Sequence, residues 1–502
     1  MNDPNELPIE RPSTPERAPT GVRGLDATLG GGLMQGATYL IMGRPGAGKT
    51  TLGNQLAFAH VKRGGRAVYM TLLAESHASM LRNLSSMSFF DADVINDGLV
   101  YVGAYRALRD EKLRGLLNLV RQMVRDERAS LLVIDGIAPA RAHAENDVAL
   151  KEFILELQVL GAMTGFTTVL LANMTAEDAN GPEHTMVDGL IELGFERSSR
   201  RTVRTVEVIK LRGAKHLLGK HELVISDEGV VVHPRIEDLY DGNTTAPQRS
   251  RGIATTGISH LDDMLGGGLP NGSTTVVLGF TGAGKTTLGL HFLGAGVAQG
   301  EPGLYFGFYE SPARVLDAAD AISLPLRDAV ASGALQVVWQ PSYAKGLDAL
   351  ADSIFADVVK RGVRRMVIDG LDGFRQAAIH PERTIRFLTA LSNELRALDV
   401  TTLITEETMK MNGPDIDMRV EGASALVDSI IMLEYMTVAS EQRRLISVLK
   451  SRGMAHAARM REMHLTSAGM VVSADSASAE QIISGEGGVL SMRGRTRSWI
   501  GA

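Results

Sequence analysis

One eight-residue pattern occurs twice in this chain of 502 residues. Residues 43–50 read GRPGAGKT and residues 279–286 read GFTGAGKT, and both fit the phosphate-binding Walker A loop. Each copy follows a short apolar run and precedes a segment with a helical pattern, which is the strand, loop and helix context that this loop requires. The chain is therefore predicted to contain two nucleotide sites and to be driven, or timed, by ATP.

The duplication extends over whole domains. The two Walker lysines, Lys49 and Lys285, are 236 positions apart. Similar spacings of 235, 234 and 240 positions separate the pairs Glu75 and Glu310, Asp135 and Asp369, and Lys210 and Lys450. Spacing as constant as this indicates tandem domains and argues against a solenoid of short repeats.

Each half alternates short β-rich apolar runs with longer helical patterns. In the first half we expect strands at 66–72, 131–134 and 168–172, helices at 114–128 and 148–163, and an added hairpin at 202–211 and 222–233. In the second half, 443–450 and 462–472 repeat the hairpin. The alternation predicts the α/β class, with a mainly parallel twisted sheet and flanking helices in each of two tandem P-loop domains.

Changes in composition mark the expected boundaries. We place the first domain at 18–240 and the second at 253–474, with a proline-rich, disordered arm at 1–17, a linker at 241–252 and a flexible tail at 475–502. The net charge of −6 gives no sign of a nucleic-acid or anionic-membrane protein. With no cysteine, no signal peptide and no apolar segment long enough for a membrane span, the sequence favours a cytoplasmic location.

The Walker A loops define the predicted ATP contacts. Their glycines let the backbone wrap a phosphate, and the following helix adds its positive end. Lys49 and Lys285 are expected to reach the β- and γ-phosphates, while Thr50 and Thr286 are expected to bind Mg²⁺. The predicted contacts are Gly43, Gly46, Ala47, Gly48, Lys49, Thr50 and Thr51 in the first loop, and Gly279, Gly282, Ala283, Gly284, Lys285, Thr286 and Thr287 in the second.

Four acids follow predicted strands. Asp135 and Asp369 end apolar runs, where a Walker B carboxylate binds Mg²⁺ directly or through water. The alternative for each is a cap on the next helix. Glu75 and Glu310 also follow strands and are placed to orient or deprotonate an attacking water or hydroxyl. The alternative for these two is a solvated loop acid.

Two Lys-x-Arg pairs, 210/212 and 450/452, put two cations on one face of a strand. Across a subunit interface they would reach a neighbour's γ-phosphate, as an arginine finger does. The alternative is a basic edge strand that discourages aggregation between sheets. A histidine follows each pair, His216 and His456, and the repetition favours the first interpretation.

These residues together resemble the KaiC family of RecA-like ATPases. The resemblance rests on Leu-Asp with Leu-Gly-Gly-Gly-Leu at 25–33 and 261–269, on both Walker A loops, on the Glu-Ser pairs and on the Lys-x-Arg-Gly strands, and it covers about residues 18 to 485. It implies a homohexamer with ATP and Mg²⁺ between subunits. Lys210, Arg212, His216, Lys450, Arg452 and His456 would then face a neighbour's nucleotide. It also implies Ser/Thr autophosphorylation in the second domain and a KaiB-like or other signalling partner.

Two departures from the family pattern bear on activity. The family has adjacent glutamates where this chain has Ala74-Glu75 and Tyr309-Glu310. If the first carboxylate is the base, hydrolysis and phosphotransfer are weakened, whereas if the second can act, the two remaining glutamates suffice.

The family's neighbouring phosphorylated Ser and Thr fall on Ser424 and Ala425. An ordered two-site cycle is therefore excluded, which leaves Ser424 as the candidate phosphosite and Ser429 as a weaker one. The alternative is that Ser424 is only a small polar residue near an interface.

The leading hypothesis is a KaiC-like hexameric ATPase with Ser/Thr autokinase activity that acts in signalling or timing. The first alternative is a nucleotide-gated scaffold with little turnover, motivated by Ala74 and Tyr309. The second is a RecA-type DNA motor, which the acidic balance and the aromatic content of 5% disfavour, since binders of single strands pair basic grooves with stacking rings.

Overall fold

The computed structural model describes residues 16–72, 77–173, 182–197, 201–240, 252–408, 411–412, 415–416, 427–438, 441–452 and 459–484. The chain divides into two compact units, with the boundary between Leu239 and Tyr240. Of the helices in these ranges, none combines the length and apolar character needed to cross a bilayer.

The first unit is built on one nine-stranded sheet. Its strands, with two short ones outside the sheet, are β1 (Arg17–Ala18), β2 (Leu33–Met34), β3 (Thr38–Gly43), β4 (Ala67–Thr71), β5 (Leu99–Gly103), β6 (Leu131–Asp135), β7 (Thr167–Ala172), β8 (Gly189–Arg197), β9 (Thr202–Leu211), β10 (Lys220–Ser226) and β11 (Gly229–His233). The order in the sheet is β11-β10-β9-β8-β3-β7-β6-β4-β5, and β1 pairs with β2. The run from β8 to β5 is parallel, and β9 to β11 extend it antiparallel.

Helices cover both faces of this sheet. They are α1 (Leu25–Thr28), α2 (Lys49–Lys62), α3 (His77–Leu84), α4 (Tyr105–Glu127), α5 (Ile137–His143), α6 (Asp147–Thr164), α7 (Pro182–Met186) and α8 (Ile236–Leu239). The expected helix at 114–128 is the second part of α4, which has a non-helical residue at Lys112. Segment 222–233, expected as one strand of a hairpin, is a hairpin by itself, formed by β10 and β11.

The second unit repeats this plan. Its strands are β12 (Ile253–Ala254), β13 (Leu269–Pro270), β14 (Thr274–Gly279), β15 (Gly303–Gly307), β16 (Leu335–Trp339), β17 (Arg365–Asp369), β18 (Thr401–Glu407), β19 (Met411–Asn412), β20 (Asp415–Ile416), β21 (Ser429–Val438), β22 (Glu441–Ser451), β23 (Arg461–Thr466) and β24 (Gly469–Val472). The nine-stranded order is β16-β15-β17-β18-β14-β21-β22-β23-β24, the same topology as in the first unit. The expected α/β class with mainly parallel sheets is confirmed.

The helices of the second unit are α9 (Ser259–Met264), α10 (Lys285–Ala298), α11 (Pro312–Ala321), α12 (Leu326–Ala331), α13 (Leu347–Arg361), α14 (Asp372–Ala377), α15 (Thr384–Ala397) and α16 (Ala477–Ser484). The last of these corrects the flexible tail expected from residue 475. Ala479 and Ile482 are buried in a small cluster with Leu445 of β22, because the apolar side of this short helix covers the sheet.

The position of the parallel strands in the sheet accounts for their apolar sequences. All six residues of β3 are buried, as expected for a central strand covered by helices on both faces. One core of the first unit lies between the sheet and α2, and another between the sheet and α4 to α6. Because the parallel strands share a direction, the residues that follow β3, β4, β6 and β7 meet at one edge of the sheet. The same holds for β14, β15, β17 and β18.

Candidate nucleotide-binding sites

Each Walker A loop connects a central strand to a helix at the carboxyl edge of its sheet. The first loop joins β3 to α2, and the second joins β14 to α10. Gly48 and Gly284 precede the helices with φ of 105° and 107°, a left-handed conformation that favours glycine. A Cβ at Gly48 would lie 2.6 Å from Ile225 Cδ1, so the loop also packs closely on β10. Both loops therefore point helix N-termini at the space where a phosphate would bind.

The two Walker lysines fold back over their own loops. Lys49 Nζ donates hydrogen bonds to the carbonyl oxygens of Gly43 and Arg44, at 2.8 and 3.0 Å. Lys285 Nζ donates to the equivalent oxygens of Gly279 and Phe280, both at 2.9 Å. Burial lowers the pKa of Lys49, and Asp135 partly opposes that shift. The ammonium groups are thus held at the loops and are available to an anion placed there.

In the first unit a threonine and a tyrosine converge on the Walker B carboxylate. Thr50 Oγ1 donates to Asp135 Oδ2 at 3.0 Å, and the Tyr69 hydroxyl donates to the same oxygen at 2.8 Å. Tyr69 is fully buried on β4, and burial together with Asp135 holds the pKa of its phenol well above the usual value. The phenol therefore stays protonated and keeps donating to the carboxylate.

The second unit repeats the constellation with one addition. Thr286 Oγ1 donates to Asp369 Oδ2 at 2.9 Å, and the hydroxyl of Tyr305 donates to the same oxygen. Thr405 on β18 donates to the other oxygen, Oδ1. Burial and the neighbouring Asp369 raise the pKa of the Tyr305 phenol.

Sequence reasoning missed the two tyrosines. Their spacing of 236 positions equals that of the Walker lysines and was a usable signal. What the sequence does not reveal is that β4 pairs with β6, and β15 with β17, so that each phenol reaches the aspartate on the next strand.

The donors at each site suit Mg²⁺. A threonine hydroxyl and an aspartate carboxylate lie side by side, and Mg²⁺ prefers such oxygen ligands, usually one or two from protein with phosphates and waters completing the shell. Among the described residues there is no cluster of three or more His, Cys, Asp or Glu that would hold a metal unaided. The geometry therefore fits a metal that arrives together with a nucleotide.

Of the two candidate catalytic glutamates, Glu310 lies within the described residues. Glu75 lies outside the described residues. Glu310 is partly buried, three residues beyond the end of β15, and its charge contributes to the raised pKa of Tyr305. It therefore lies at the same edge of the sheet as the Thr286 and Asp369 pair.

The first Lys-x-Arg pair lies at the opposite edge of the sheet from its own Walker loop. Leu211 of β9 pairs with Gly189 at the start of β8, whereas the loop residue Gly43 pairs with Leu193 further along β8. Lys210 Nζ donates to the Thr185 carbonyl at 2.9 Å. The guanidinium of Arg212 donates to the Thr185 and Met186 carbonyls at 3.0 and 3.3 Å. Both cations thus cap the carboxyl end of α7.

The second pair has the same placement. Lys450 Nζ donates to the Val427 carbonyl at 2.8 Å, beside the start of β21. Burial lowers the pKa of Lys450, and Arg452 lowers it further. Burial and then Arg212 do the same to Lys210. One carboxylate opposes the shift in each case, Asp188 for Lys210 and Asp428 for Lys450.

Of the two histidines that follow these pairs, the structure describes His216. Both ring nitrogens of His216 are buried without a hydrogen-bond partner in the described part of the chain. Buried polar atoms of this kind are usually hydrogen-bonded, so His216 is an exception within the described residues. His456 and Ser424, the candidate phosphosite, lie outside the described residues.

Two arginines near the loops were not predicted. Arg204 Nε donates to the Gly46 carbonyl at 3.3 Å, and its guanidinium lies 5.7 Å from the centre of the Phe195 ring. Arg444 is 240 positions later and lies 5.2 Å from the centre of the Tyr435 ring, with its Nε buried and unpartnered within the described residues. The repeated Arg-aromatic pair was visible in the sequence, but its position beside the loop depends on the pairing of β8 with β9 and of β21 with β22.

Comparison with known proteins agrees with the repeated architecture. A family model described as the KaiC ATPase matches residues 18–237 and again 254–477. The circadian clock oscillator protein KaiC of Parathermosynechococcus lividus is 25% identical over 93% of this chain and 87% of its own length. The circadian clock protein KaiC2 of Synechocystis sp. is 27% identical over 90% of this chain and 81% of its own. The oscillator protein KaiC of Prochlorococcus marinus is 27% identical, over 94% and 95%.

Proposed function

The chain belongs to the KaiC family of ATPases, since the family model matches both of its halves, and we propose that it binds ATP at both Walker loops and hydrolyses it. The observation that carries the proposal is the repeated convergence of a loop threonine and a buried tyrosine on one aspartate. A single glycine-rich turn would not require these three residues together. Their occurrence in both units supports two nucleotide sites.

The residues of each site have distinct roles in this proposal. Lys49 and Lys285 exchange their carbonyl partners for the β- and γ-phosphate oxygens when a nucleotide enters. Thr50 with Asp135, and Thr286 with Asp369, would hold Mg²⁺, which when bound neutralises charge on the transferring phosphoryl group. The tyrosine hydroxyls fix the orientation of each aspartate. Glu75 and Glu310 orient the attacking water.

We further propose that the sites are completed between subunits of a homohexamer. Lys210 and Arg212 lie at the edge of the sheet away from their own Walker loop, so they are out of reach of that loop's phosphates, and His216 follows them in the chain. In a ring they would face the nucleotide of a neighbour, where an arginine stabilises the charge that develops on the phosphoryl group. Lys450, Arg452 and His456 would do the same for the second site.

Phosphate release from purified protein tests the ATPase proposal. We expect Mg²⁺-dependent hydrolysis that is lost in the variant with both Lys49→Ala and Lys285→Ala, while each single variant keeps the activity of its intact site. Variants that retain the parental circular-dichroism spectrum serve as the folding control. A parental rate no higher than that of the double variant would refute hydrolysis and support a nucleotide-gated scaffold.

One observation favours the scaffold as a second candidate function. Tyr309 stands where the family has a glutamate, and its hydroxyl accepts a hydrogen bond from Gln376 Nε2 at 3.4 Å. A phenol in that arrangement supplies no carboxylate to the nucleotide. In this alternative the protein binds ATP, assembles, and passes its state to a signalling partner with little turnover.

Autophosphorylation of Ser424 is the final part of the proposal, and it rests on the family likeness and on the alignment of Ser424 with the family's phosphorylated serine. Incubation with ATP and Mg²⁺ followed by mass spectrometry should find phosphate on Ser424, and a Ser424→Ala variant should lose it. Protein that binds ATP but carries no phosphate there would remove the kinase activity. The names of the relatives lead us to propose a role in timing or signalling, with a KaiB-like or other signalling protein as partner.

A further inference from the structure

The second Walker loop is tied to the neighbouring strand by a hydrogen bond that the first loop cannot form. The hydroxyl of Thr281, the third residue of the loop, donates to Glu407 Oε1. The equivalent residues of the first unit are Pro45 and Asn173, at the same domain spacings of 236 and 234 positions. Proline has no hydroxyl and asparagine has no carboxylate, so this pair distinguishes the second site from the first.

Glu407 ends β18, the strand directly beside the Walker strand. Gly279, the first loop residue, is in register with Glu407 in the parallel pairing of β14 and β18. Two positions earlier on β18, Thr405 donates to Asp369. Because side chains alternate along a strand, Thr405 and Glu407 share a face. The carboxylate of Glu407 therefore continues the line of site residues from Asp369 towards the open edge of the sheet.

Glu310, the other acid of this site, follows a strand that lies further from the Walker strand. Glu310 follows β15, which is separated from the Walker strand by β17 and β18. That is three strand spacings, or about 14 Å, against one spacing of about 4.8 Å for β18. Tyr309 is directed away from the loop, because its ring lies over Gly370 and its hydroxyl accepts from Gln376. Of these three side chains, Glu407 lies nearest to the loop that binds the γ-phosphate.

We propose that Glu407 is the proton acceptor of the second site, with Glu310 orienting the nucleophile; this rests on the proposed ATPase function. As the oxygen of the attacking water bonds to the γ-phosphorus, the bond to the bridging oxygen of ADP breaks and its electron pair stays on ADP. The proton of the water passes to the Glu407 carboxylate. Thr281 holds this carboxylate beside the loop. The first site has no acid at this position and depends on Glu75.

The test uses the full-length Lys49→Ala variant, in which only the second site can hydrolyse ATP. Adding Glu407→Gln keeps the shape of the side chain and removes the proton acceptor. We expect phosphate release to fall by about 10²–10⁴-fold, the usual contribution of a general base. The affinity for a fluorescent ADP analogue should change by less than about threefold. In Glu407→Ala, added sodium formate should restore part of the rate, which it would not do for a merely structural residue.

The matched control is Asn173→Ala in the Lys285→Ala background, which reports on the first site and should hydrolyse at the rate of its parent. A Glu407→Gln variant as fast as its parent would overturn the role of Glu407 while leaving the ATPase proposal intact. Loss of nucleotide binding in Glu407→Gln would overturn it as well, because the residue would then serve binding. A Lys49→Ala parent no faster than the double lysine variant would refute hydrolysis at the second site, and the role of Glu407 with it.

Discussion

Tyr69 and Tyr305 show how much of each site depends on a side chain that does not itself carry charge. Each places a protonated phenol against the aspartate expected to bind Mg²⁺. A carboxylate that accepts from both a tyrosine and a threonine has a fixed orientation before any ligand arrives. Preorganised dipoles of this kind cost no reorganisation when a substrate binds.

Replacing Tyr69 with Phe should lower the free energy of unfolding by about 1.5–3 kcal/mol, because the lost hydrogen bond is made to a charged group. Tyr101→Phe is the matched control, since the Tyr101 hydroxyl donates to the neutral amide oxygen of Asn54 at 2.8 Å. Its loss should cost about 0.5–1.5 kcal/mol. Urea unfolding of both variants gives the comparison, and an equal or larger cost for Tyr101→Phe would contradict the special role of Tyr69.

His291 makes the stability of the second unit depend on pH, whereas the equivalent residue of the first unit does not titrate. His291 Nε2, on α10, accepts a hydrogen bond from the backbone N–H of Met470 at 2.9 Å, which requires a neutral ring. Burial lowers the pKa of this histidine. In the first unit Gln55, 236 positions earlier, accepts from the Val230 N–H at 2.7 Å through its amide oxygen. An amide makes the same bond at any pH.

Below about pH 6.5 the unfolded chain protonates His291 while the folded chain resists protonation. The stability contributed by the neutral ring is therefore complete above that pH and is lost as the pH falls towards the lowered pKa of the folded state. We expect His291→Gln to reduce the fall in melting temperature of the second unit between about pH 7 and pH 5. An unchanged pH dependence in this variant, with the melting temperature at pH 7 retained, would show that His291 does not contribute.

At the scale of elements, Arg365 links a central strand of the second unit to neighbouring segments through hydrogen bonds. The first unit has a leucine at the equivalent position. Arg365 lies on β17 with 1% of its side chain exposed. Its guanidinium contacts Glu301 at 2.5 Å and donates to the Thr255 and Phe292 carbonyls and to Gln299. The first unit has Leu131 at this position, and His60 where the second unit has Gly296. A Cβ on Gly296 would lie 2.4 Å from Arg365 Cδ, so the two substitutions belong together.

Arg365→Ala should destabilise the second unit by about 2–5 kcal/mol, because it leaves the Thr255 and Phe292 carbonyls without their donor, at about 1–3 kcal/mol for each buried group. The neighbouring Arg364 is the control, since its pair with Asp399 at 3.0 Å is about half exposed. Arg364→Ala should cost less than about 1 kcal/mol. Chemical unfolding of both variants decides the matter, and similar costs would mean that the Arg365 network adds little to stability.

The elements that the sequence predicts well are those whose residues face apolar surroundings on both sides. The run at 131–134 reads as a buried strand because nothing else accommodates four such residues in succession. The residues that were missed, Tyr69, Arg204 and Glu407, form hydrogen bonds with residues that lie 66 to 158 positions away in the sequence. Hydrophobic pattern fixes where a strand is, but the order of strands in the sheet decides which polar side chains meet.

At the scale of the whole molecule, two units of the same topology carry sites that are no longer equivalent. The first has Pro45 and Asn173 where the second has Thr281 and Glu407. In both, the Lys-x-Arg pair is at the edge of the sheet away from its own Walker loop. If the Lys-x-Arg pair forms half of a site, as we propose, a closed ring would let every subunit give one half to a neighbour and receive the other.

Mixing two inactive variants tests this arrangement directly. With the second site silenced by Lys285→Ala in both, one variant carries Lys49→Ala and the other Arg212→Ala, so that neither chain has a complete first site. If Arg212 acts on a neighbour, a ring containing both has interfaces where an intact Lys49 meets an intact Arg212. Random mixing at equal amounts makes about one interface in four complete, and phosphate release should recover towards that fraction of the rate of the Lys285→Ala protein.

If Arg212 instead serves its own chain, no complete site arises and the mixture stays inactive. The control is a mixture of each variant with itself, treated in the same way to exchange subunits. Exchange is verified by energy transfer between labels on the two variants. Confirmed exchange without recovery of phosphate release would contradict the shared site and assign the role of Arg212 to its own chain, where it contacts the end of α7.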